Sequence, residues 1–289
     1  MINKPCAIAL GFFDGVHIAH QKIIKSATAY AQQNNLIPVA LSFDASPLEI
    51  LSPGSVRYLT TKKEKAEIIE GIGARAEFLP LSSELLSMEP EEFIEEILLK
   101  KYNIKYAVCG YNYRFGKNGR GDTDMLRESG RRYGFVVEVS ECEMYCGESI
   151  SSSRIRALIA EGNIRQANEL LGRNFFIKGT VCEGKKLGRT LGFPTANVFL
   201  NDLTVIPKKG VYKTLVTVNK KSYPAITNTG VNPTVGEETL RSETYIPDFD
   251  ADLYGQEIKI EFIDFIRPEK KFESIEKLQE QIKKDLERL

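Results

Sequence analysis

The sequence predicts an α/β protein with two domains: a parallel sheet with helices on both faces, then a small antiparallel β-barrel that ends in a helix. Up to residue 172, strand-like and helix-like patterns alternate, as they do in parallel sheets. From residue 175, β-branched and aromatic runs are separated by Gly, Pro and Asn turns, with no helix-length pattern between them. The 289 residues suffice for two domains at roughly 150 residues each. We therefore expect domains at 1–172 and 173–289.

The first domain is predicted from short buried apolar runs and from apolar stripes that repeat every three to four residues. The predicted strands are 6–10, 36–43, 75–81, 104–110 and 135–140. The predicted helices are 20–33, 62–71, 89–101 and 123–133. Two short helical stripes, which end at Gly162 and Gly172, close this domain.

The second domain is predicted from β-rich runs and one helix. The predicted strands are 175–182, 211–218, 223–227 and 257–266. The segment 228–234 is rich in Asn, Gly and Pro, and it is predicted to be a turn-rich loop. The last helix is predicted to begin after an N-cap at Ser274, and its apolar stripe contains Ile275, Leu278, Ile282 and Leu286.

Composition limits the classes of function. Hydrophobic residues make up 42% and charged residues 27%, which is typical of soluble globular proteins. The net charge is zero, and no apolar run approaches the roughly 18 residues of a membrane span. We therefore expect neither nucleic acid nor a membrane as a partner. Five scattered cysteines and no signal-peptide pattern favour the cytoplasm. The oligomeric state stays open.

The two histidines of the chain are three residues apart, after the first predicted strand. His17 and His20 follow a turn that contains Gly11, Asp14 and Gly15 and precede a helical pattern. A strand, a glycine turn and a helix N-terminus aim backbone N–H groups at a phosphate, and imidazoles add donors to the same anion. A satisfied surface or capping histidine is one alternative. Half of a metal site is another, although no further histidine or suitable cysteine exists nearby to complete it.

Two more polar clusters of the first domain follow strand patterns. The loop 110–122 has four glycines, two arginines, a lysine and Asn112, a composition that suits anion binding. The segment 150–156 has serines, among them Ser152, that can cap a helix with Arg154 and Arg156 in its first turn. An ordinary surface loop and a plain N-cap are the alternatives. One parallel sheet would bring both clusters to the histidine pair.

The second domain has a separate group of polar candidates. A glycine-rich turn contains Gly188, Arg189 and Gly192, and two oxygen-bearing side chains, Thr195 and Asn197, follow it. Hydroxyl and amide oxygens suit a Mg²⁺ ion that also holds nucleotide phosphates. Further along, one of the carboxylates of Glu243, Asp248 and Asp250 could accept a proton from an attacking hydroxyl. Ordinary β-turns are the alternative for each of these segments.

At these residues the chain resembles the bacterial bifunctional riboflavin kinase/FAD synthetase family over nearly its whole length. Residues 11–20, 110–116 and 151–156 resemble an HxGH-type nucleotidylyltransferase with a Rossmann-like fold. Residues 188–197, with Pro-Thr-Ala-Asn at the end, and 232–234, Glu243 and Asp248-Phe249 resemble a riboflavin kinase barrel.

The resemblance implies two reactions: ATP-dependent phosphorylation of riboflavin to FMN, and adenylylation of FMN to FAD with release of pyrophosphate. It implies that Thr195 and Asn197 bind the metal and that Glu243 activates the ribityl hydroxyl. His17 and His20 would act at the α-phosphate of ATP. The ligands would be riboflavin, FMN, FAD and ATP, with Mg²⁺ as cofactor.

Three positions depart from the family pattern. Ala19 stands where the family has glycine, Ala45-Ser46 stand where it has Pro-His, so that its histidine is missing, and Thr244 follows Glu243 where histidine is common. An alternative function is therefore a flavin-binding or regulatory paralogue that keeps only the kinase activity or neither activity.

Overall fold

The computed structural model describes residues 4–46, 49, 54, 56–184, 192–201, 203–234 and 237–289, without the side chains of 231–234 and 237–240. Gly188 and Arg189 therefore lie outside the described residues. The chain forms two compact units, Met1–Ser152 and Ser153–Leu289. The domain boundary after residue 172 stays a prediction. No helix within the described residues is both long and apolar enough to cross a membrane.

The first unit has the predicted alternation. Its strands are β1 Cys6–Leu10, β2 Ile37–Phe43, β3 Arg75–Leu79, β4 Ile104–Gly110 and β5 Val136–Ser140, with a short hairpin of β6 Met144–Tyr145 and β7 Glu148–Ser149. Its helices are α1 Ile18–Asn34, α2 Lys62–Gly71, α3 Ser83–Ser87, α4 Pro90–Glu92, which continues as a π-helix over Phe93–Lys101, and α5 Thr123–Tyr133. The helix α3 was not predicted, and the predicted helix 89–101 is mostly π-helical rather than α-helical.

The five main strands form one parallel sheet in the order β3-β2-β1-β4-β5, which confirms the predicted fold class. β1 is buried on both faces. Ile8 and Leu10 pack in one apolar cluster, whereas Ala7 and Ala9 pack in the other against Ile24 of α1. The order of the strands in the sheet changes direction at β1, because β2 and β3 follow on one side of it and β4 and β5 on the other. The loops after β1 and β4 therefore lie side by side. Ligands of doubly wound sheets bind at such a switch point.

The second unit begins with two short helices, α6 Ser152–Glu161 and α7 Ile164–Leu171, and Gly172 ends α7 in the left-handed region as predicted. Six strands close a barrel in the order β10-β11-β12-β9-β8-β13 with antiparallel pairing, as predicted. They are β8 Phe175–Cys182, β9 Thr195–Phe199, β10 Gly210–Val218, β11 Lys221–Thr234, β12 Glu237–Tyr245 and β13 Glu257–Arg267. The last helix, α8 Ile275–Leu286, has the predicted cap, since the Ser274 side chain accepts a hydrogen bond from the Lys277 N–H.

Three details of the barrel differ from the prediction. The segment 228–234 is not a loop, because β11 continues through it and pairs with β12 from Thr234↔Glu237 to Ile226↔Tyr245. β9 and β12 were not among the predicted strands. In 228–234, Gly, Asn and Pro favour a turn locally, but ladder hydrogen bonds to neighbouring strands hold all three segments extended once the barrel closes.

Candidate active sites

A cavity of about 340 Å³ lies at the carboxyl ends of β1 and β4. Three of the predicted residues line it: Gly11, His20 and Asn112. Arg114, from the same loop as Asn112, also lines it. The parallel sheet therefore brings the histidine segment and the 110–122 loop to one cavity, as the sequence predicted.

The two histidines are packed against each other at the start of α1. His17 is the N-cap, and its Nδ1 accepts a hydrogen bond from the His20 N–H at 3.4 Å. The rings are stacked, with centroids 3.5 Å apart and planes at 17°. His17 is buried, and the edge of the His20 ring contacts Phe13 at a centroid distance of 5.3 Å. The pair is thus a rigid unit.

The surroundings of His20 disfavour its charged form. Burial lowers its pKa well below the usual value, and the nearby charges of His17 and Lys65 lower it further. Its Nδ1 is buried and has no hydrogen-bond partner among the described residues. A buried polar atom without a partner costs about 1–3 kcal/mol, so a ligand that pairs with it gains this energy.

The turn before the histidines depends on glycine at position 15. Gly15 has φ +74, and a Cβ there would lie 2.6 Å from Leu59 Cδ1. The Asp14 carboxylate accepts a hydrogen bond from the Leu59 N–H at 2.9 Å, and the Gly15 N–H donates to Thr60 Oγ1 at 3.3 Å. Asp14 and Gly15, which were predicted to bind phosphate, are both buried in this turn. They therefore determine the shape of the turn next to the site.

The serine–arginine segment was predicted to join the same site. The Ser152 hydroxyl donates a hydrogen bond to the Asp14 carbonyl oxygen at 2.9 Å, which links this segment to the turn. Arg154 and Arg156 lie in the first turn of α6 and belong to the second unit, and Arg156 donates to Ser153 Oγ at 3.0 Å. Nucleotide binding by these arginines stays a prediction.

Ala19 is an ordinary residue of α1. It lies in the first turn of that helix, and its φ is not in the left-handed region that favours glycine. The described residues contain no group of three or more His, Cys, Asp or Glu side chains placed to hold a metal ion.

A second cavity, of about 320 Å³, lies within the second unit between the barrel and α8. Thr195 of β9 and Glu243 of β12 line it together with five other polar or charged residues, which are Asn228, Arg267, Glu269, Lys270 and Asp285. Most of the remaining wall is apolar and comes from the barrel, the segment after β13 and α8, through Phe193, Val211, Ile226, Tyr245, Phe272, Leu278 and Ile282. This combination suits a flat aromatic ligand that carries one reactive polar group.

A polar row crosses three adjacent strands. Glu243 pairs with Asn197 of β9 on one side and with Asn228 of β11 on the other. Because neighbouring residues of a strand point to opposite faces, the next residue, Thr244, points the other way. There its buried Oγ1 forms a hydrogen bond with Thr227 at 2.9 Å. The Thr244 side chain thus belongs to the buried, hydrogen-bonded threonines of the barrel.

The residues predicted to hold Mg²⁺ fit that ion. Asn197 is buried, and its Oδ1 has no hydrogen-bond partner among the described residues. The Asn197 side chain fills the space where a Cβ of Gly184 would be, at 2.6 Å from Nδ2. Thr195 lies two residues away on the same face of β9. A buried amide oxygen without a donor is a suitable ligand for a hard cation.

A third cavity, of about 590 Å³, lies on the other side of Thr195. Thr195 lines both this cavity and the one that contains Glu243. Asp250, Asp252 and Tyr254 contribute to its wall. Gly192, from the predicted glycine-rich turn, has φ +82 and is exposed.

Two features were missed by the sequence reasoning. Lys65 is buried beside the histidine turn, and its position four residues before buried Ile69 on α2 was a usable signal. Arg267, which is partly exposed, and the buried Asp285 form an ion pair at the wall of the Glu243 cavity, and no local sequence pattern links them.

A parallel α/β unit and a closed-barrel unit, each with a cavity that polar side chains help to line, define the protein as an enzyme with two units. A family model described as FAD synthetase matches residues 1–154, and one described as riboflavin kinase matches residues 171–289. The chain belongs to the bifunctional riboflavin kinase/FMN adenylyltransferase family, as the sequence resemblance predicted. It is an enzyme of FMN and FAD biosynthesis with both catalytic domains.

Relatives cover nearly the whole chain. A protein of Listeria monocytogenes named bifunctional riboflavin kinase/FMN adenylyltransferase is 38% identical over 289 residues, which are 98% of this chain and 90% of the relative. A Bacillus subtilis protein of the same name is 37% identical over 96% of this chain and 89% of its own length. A crystal structure from Streptococcus pneumoniae, titled macrolide-efflux protein, has a TM-score of 0.90 and 32% identity, and the match covers 98% and 93% of the two chains.

Proposed function

We propose that the second unit binds riboflavin in the 320 Å³ cavity and ATP in the 590 Å³ cavity, and that the γ-phosphoryl group moves between them past Thr195. The observation that carries this proposal is that Thr195 lines both cavities and Glu243 lines one of them. The 5′-hydroxyl of riboflavin attacks the γ-phosphorus, and ADP leaves. The apolar wall suits the flavin ring, whereas the polar side suits the ribityl chain.

The protein's part in this step is positioning and proton transfer. Glu243 accepts the proton of the attacking hydroxyl, and its place in the row between Asn197 and Asn228 fixes it at the cavity wall. Thr195 and Asn197 would hold Mg²⁺ through their oxygens. The bound ion neutralises phosphate charge as the phosphoryl group is transferred.

In the first unit, we propose that the FMN phosphate attacks the α-phosphorus of ATP and that pyrophosphate leaves. Neutral His20, with its unpaired buried Nδ1, lines the cavity and is placed to interact with phosphate oxygens. His17 orients the ring of His20 through the stacked contact. The N-terminus of α1 and Asn112 add favourable electrostatic interactions. Arg154 and Arg156 keep their predicted nucleotide-binding role in this reaction, whereas Gly188, Arg189 and Gly192 would bind the nucleotide at the kinase site of the second unit.

The test is chromatography of the flavins formed from riboflavin, ATP and Mg²⁺, with Glu243→Gln and His20→Ala as matched variants. Wild type is expected to form FMN and FAD, Glu243→Gln to make FAD only from supplied FMN, and His20→Ala to stop at FMN. A wild type that stops at FMN would support the kinase-only paralogue, and one that forms neither product would contradict both proposed sites.

A cytoplasmic location is part of the same proposal. All five cysteines are free, which is consistent with a reducing compartment. ATP and flavin phosphates are the proposed ligands, without nucleic acid or a membrane.

A further inference from the structure

Lys65 is a buried cation next to the histidine turn. It lies on α2 with a residue exposure of 4%. Its Nζ donates a hydrogen bond to the Phe12 carbonyl oxygen at 2.8 Å and lies 3.9 Å from the centroid of the Phe12 ring. Both contacts are with the turn that leads into the histidine pair.

Burial of this ammonium is costly. The pKa of Lys65 is lowered to about 8: removal from water is the main cause and the charge of Lys62 adds to it, although Asp14 and Asp44 act in the opposite direction. The hydrogen bond and the aromatic contact recover only part of the cost of burying a charge. An uncharged side chain of similar length would fill this place at lower cost, so stability alone does not explain the lysine.

The Phe12 carbonyl is fixed from two directions. Ser42 Oγ on β2 donates a hydrogen bond to it at 2.8 Å, in addition to the one from Lys65. The next residue, Phe13, has φ 55, and its ring contacts His20 edge-on. A shift of the carbonyl would therefore move Phe13 and, with it, the ring of His20.

We propose that Lys65 is a positioning residue for adenylyl transfer: its buried ammonium holds the Phe12 carbonyl and so fixes the turn that carries His17 and His20. This inference rests on the proposed function of the histidine pair. Lys65 is not among the residues that line the cavity, so it acts through the turn rather than by contact with substrate. Its charge also favours the neutral form of His20.

Lys65→Met tests the proposal with a side chain of similar length and no charge. FAD formation from FMN should fall roughly 10- to 100-fold, mainly in kcat, because the reacting groups are misplaced. Riboflavin phosphorylation should be unchanged, and the melting temperature should stay level or rise because a buried charge is removed. The control is Lys62→Met on the same helix, whose side chain is 55% exposed and which should behave as wild type.

A second readout does not depend on activity. The chain has two histidines, so an NMR titration resolves both, and His17→Gln identifies His20. The charged groups that act on His20 are His17 and Lys65. Loss of the Lys65 charge should therefore raise the pKa of His20 relative to wild type.

Ser42→Ala is a milder change at the same carbonyl; because Ser42 also lines the cavity, a positioning effect should appear as a several-fold lower kcat with little change in KM. This variant serves as the test if Lys65→Met does not fold. The proposal is wrong if folded Lys65→Met keeps the wild-type rate of FAD formation. If Lys65→Met does not fold, the proposal is wrong if Ser42→Ala keeps that rate. An unchanged His20 titration in folded Lys65→Met would also overturn it. If His17→Ala and His20→Ala keep the wild-type rate of adenylyl transfer, the proposed function of the histidine pair is wrong instead. The titration would still show whether the charge of Lys65 acts on His20.

Discussion

The guanidinium group of Arg267 forms three hydrogen bonds with the Asp285 carboxylate. Arg267 Nε lies 3.1 Å from Oδ1 and 3.0 Å from Oδ2, and a terminal nitrogen lies 2.8 Å from Oδ2. Gln281 donates a further hydrogen bond to Oδ1 at 2.9 Å. Arg267 is the last residue of β13 and Asp285 belongs to α8, so the pair ties α8 to the barrel beside the Glu243 cavity.

Asp285→Ala should destabilise the second unit and loosen the α8 wall of the cavity. Loss of the buried carboxylate removes three charge-assisted hydrogen bonds from the partly exposed Arg267, which costs about 1–3 kcal/mol. The KM for riboflavin should rise several-fold, with a smaller change in kcat. Denaturant unfolding and steady-state kinetics measure the two effects.

The control for that variant is Asp264→Ala, which breaks a more exposed pair with Arg165. It should cost at most about 1 kcal/mol and leave the KM for riboflavin unchanged. Equal effects of the two variants would show that Arg267–Asp285 has no special role at the cavity.

Glu243→Gln keeps the shape of the side chain and removes the proton acceptor. FMN formation should fall by roughly 100-fold or more, because the attacking hydroxyl loses its base. FAD formation from supplied FMN should be nearly unchanged, which serves as the internal control for folding. Kinase turnover at the wild-type rate would exclude Glu243 from the mechanism.

His17→Ala and His20→Ala should each reduce adenylyl transfer by roughly 100- to 1000-fold, as expected for loss of one preorganised donor or its support. Phosphorylation of riboflavin should persist, since the kinase cavity lies in the other unit. The assay follows FAD formation from FMN and ATP. If both variants retain the wild-type rate, the pair is structural.

Ala19→Gly tests the departure from the family pattern. Because Ala19 lies in α1 with φ outside the left-handed region, glycine should give no gain in adenylyl transfer. It should lower the free energy of unfolding by about 0.5–1 kcal/mol, the helix-propensity cost of glycine. A clear increase in rate or in nucleotide affinity would instead show that the Ala19 methyl group crowds the phosphates.

Two fragments test the domain boundary. The predicted boundary implies that 173–289 folds and makes FMN. In α7, however, Asn168 donates a hydrogen bond to the Phe262 carbonyl at 2.8 Å and accepts one from the Phe175 N–H at 2.7 Å. We therefore expect 153–289 to be the more stable fragment, with a higher melting temperature. Equal melting temperatures would show that α6 and α7 add nothing to the barrel.

Local sequence pattern was sufficient where an element is stabilised mainly by its own residues. The apolar run of β1, the glycine turn and the histidines at the start of α1 were all predicted, as was the Ser274 cap. The residues predicted for the adenylyl-transfer site that line one cavity, Gly11, His20 and Asn112, follow parallel strands. Their convergence follows from the topology that the alternation predicts.

Tertiary structure decided what depends on distant partners. The end of β11 contains Gly, Asn and Pro, which favour a turn, and β9 and β12 were not predicted as strands; ladder bonds with neighbouring strands of the closed barrel hold these segments extended. The Arg267–Asp285 pair joins a strand to a helix, and Lys65 reaches a carbonyl 53 positions away. Such contacts form only when separate elements pack together, because burial and hydrogen-bond geometry, rather than local propensity, select them.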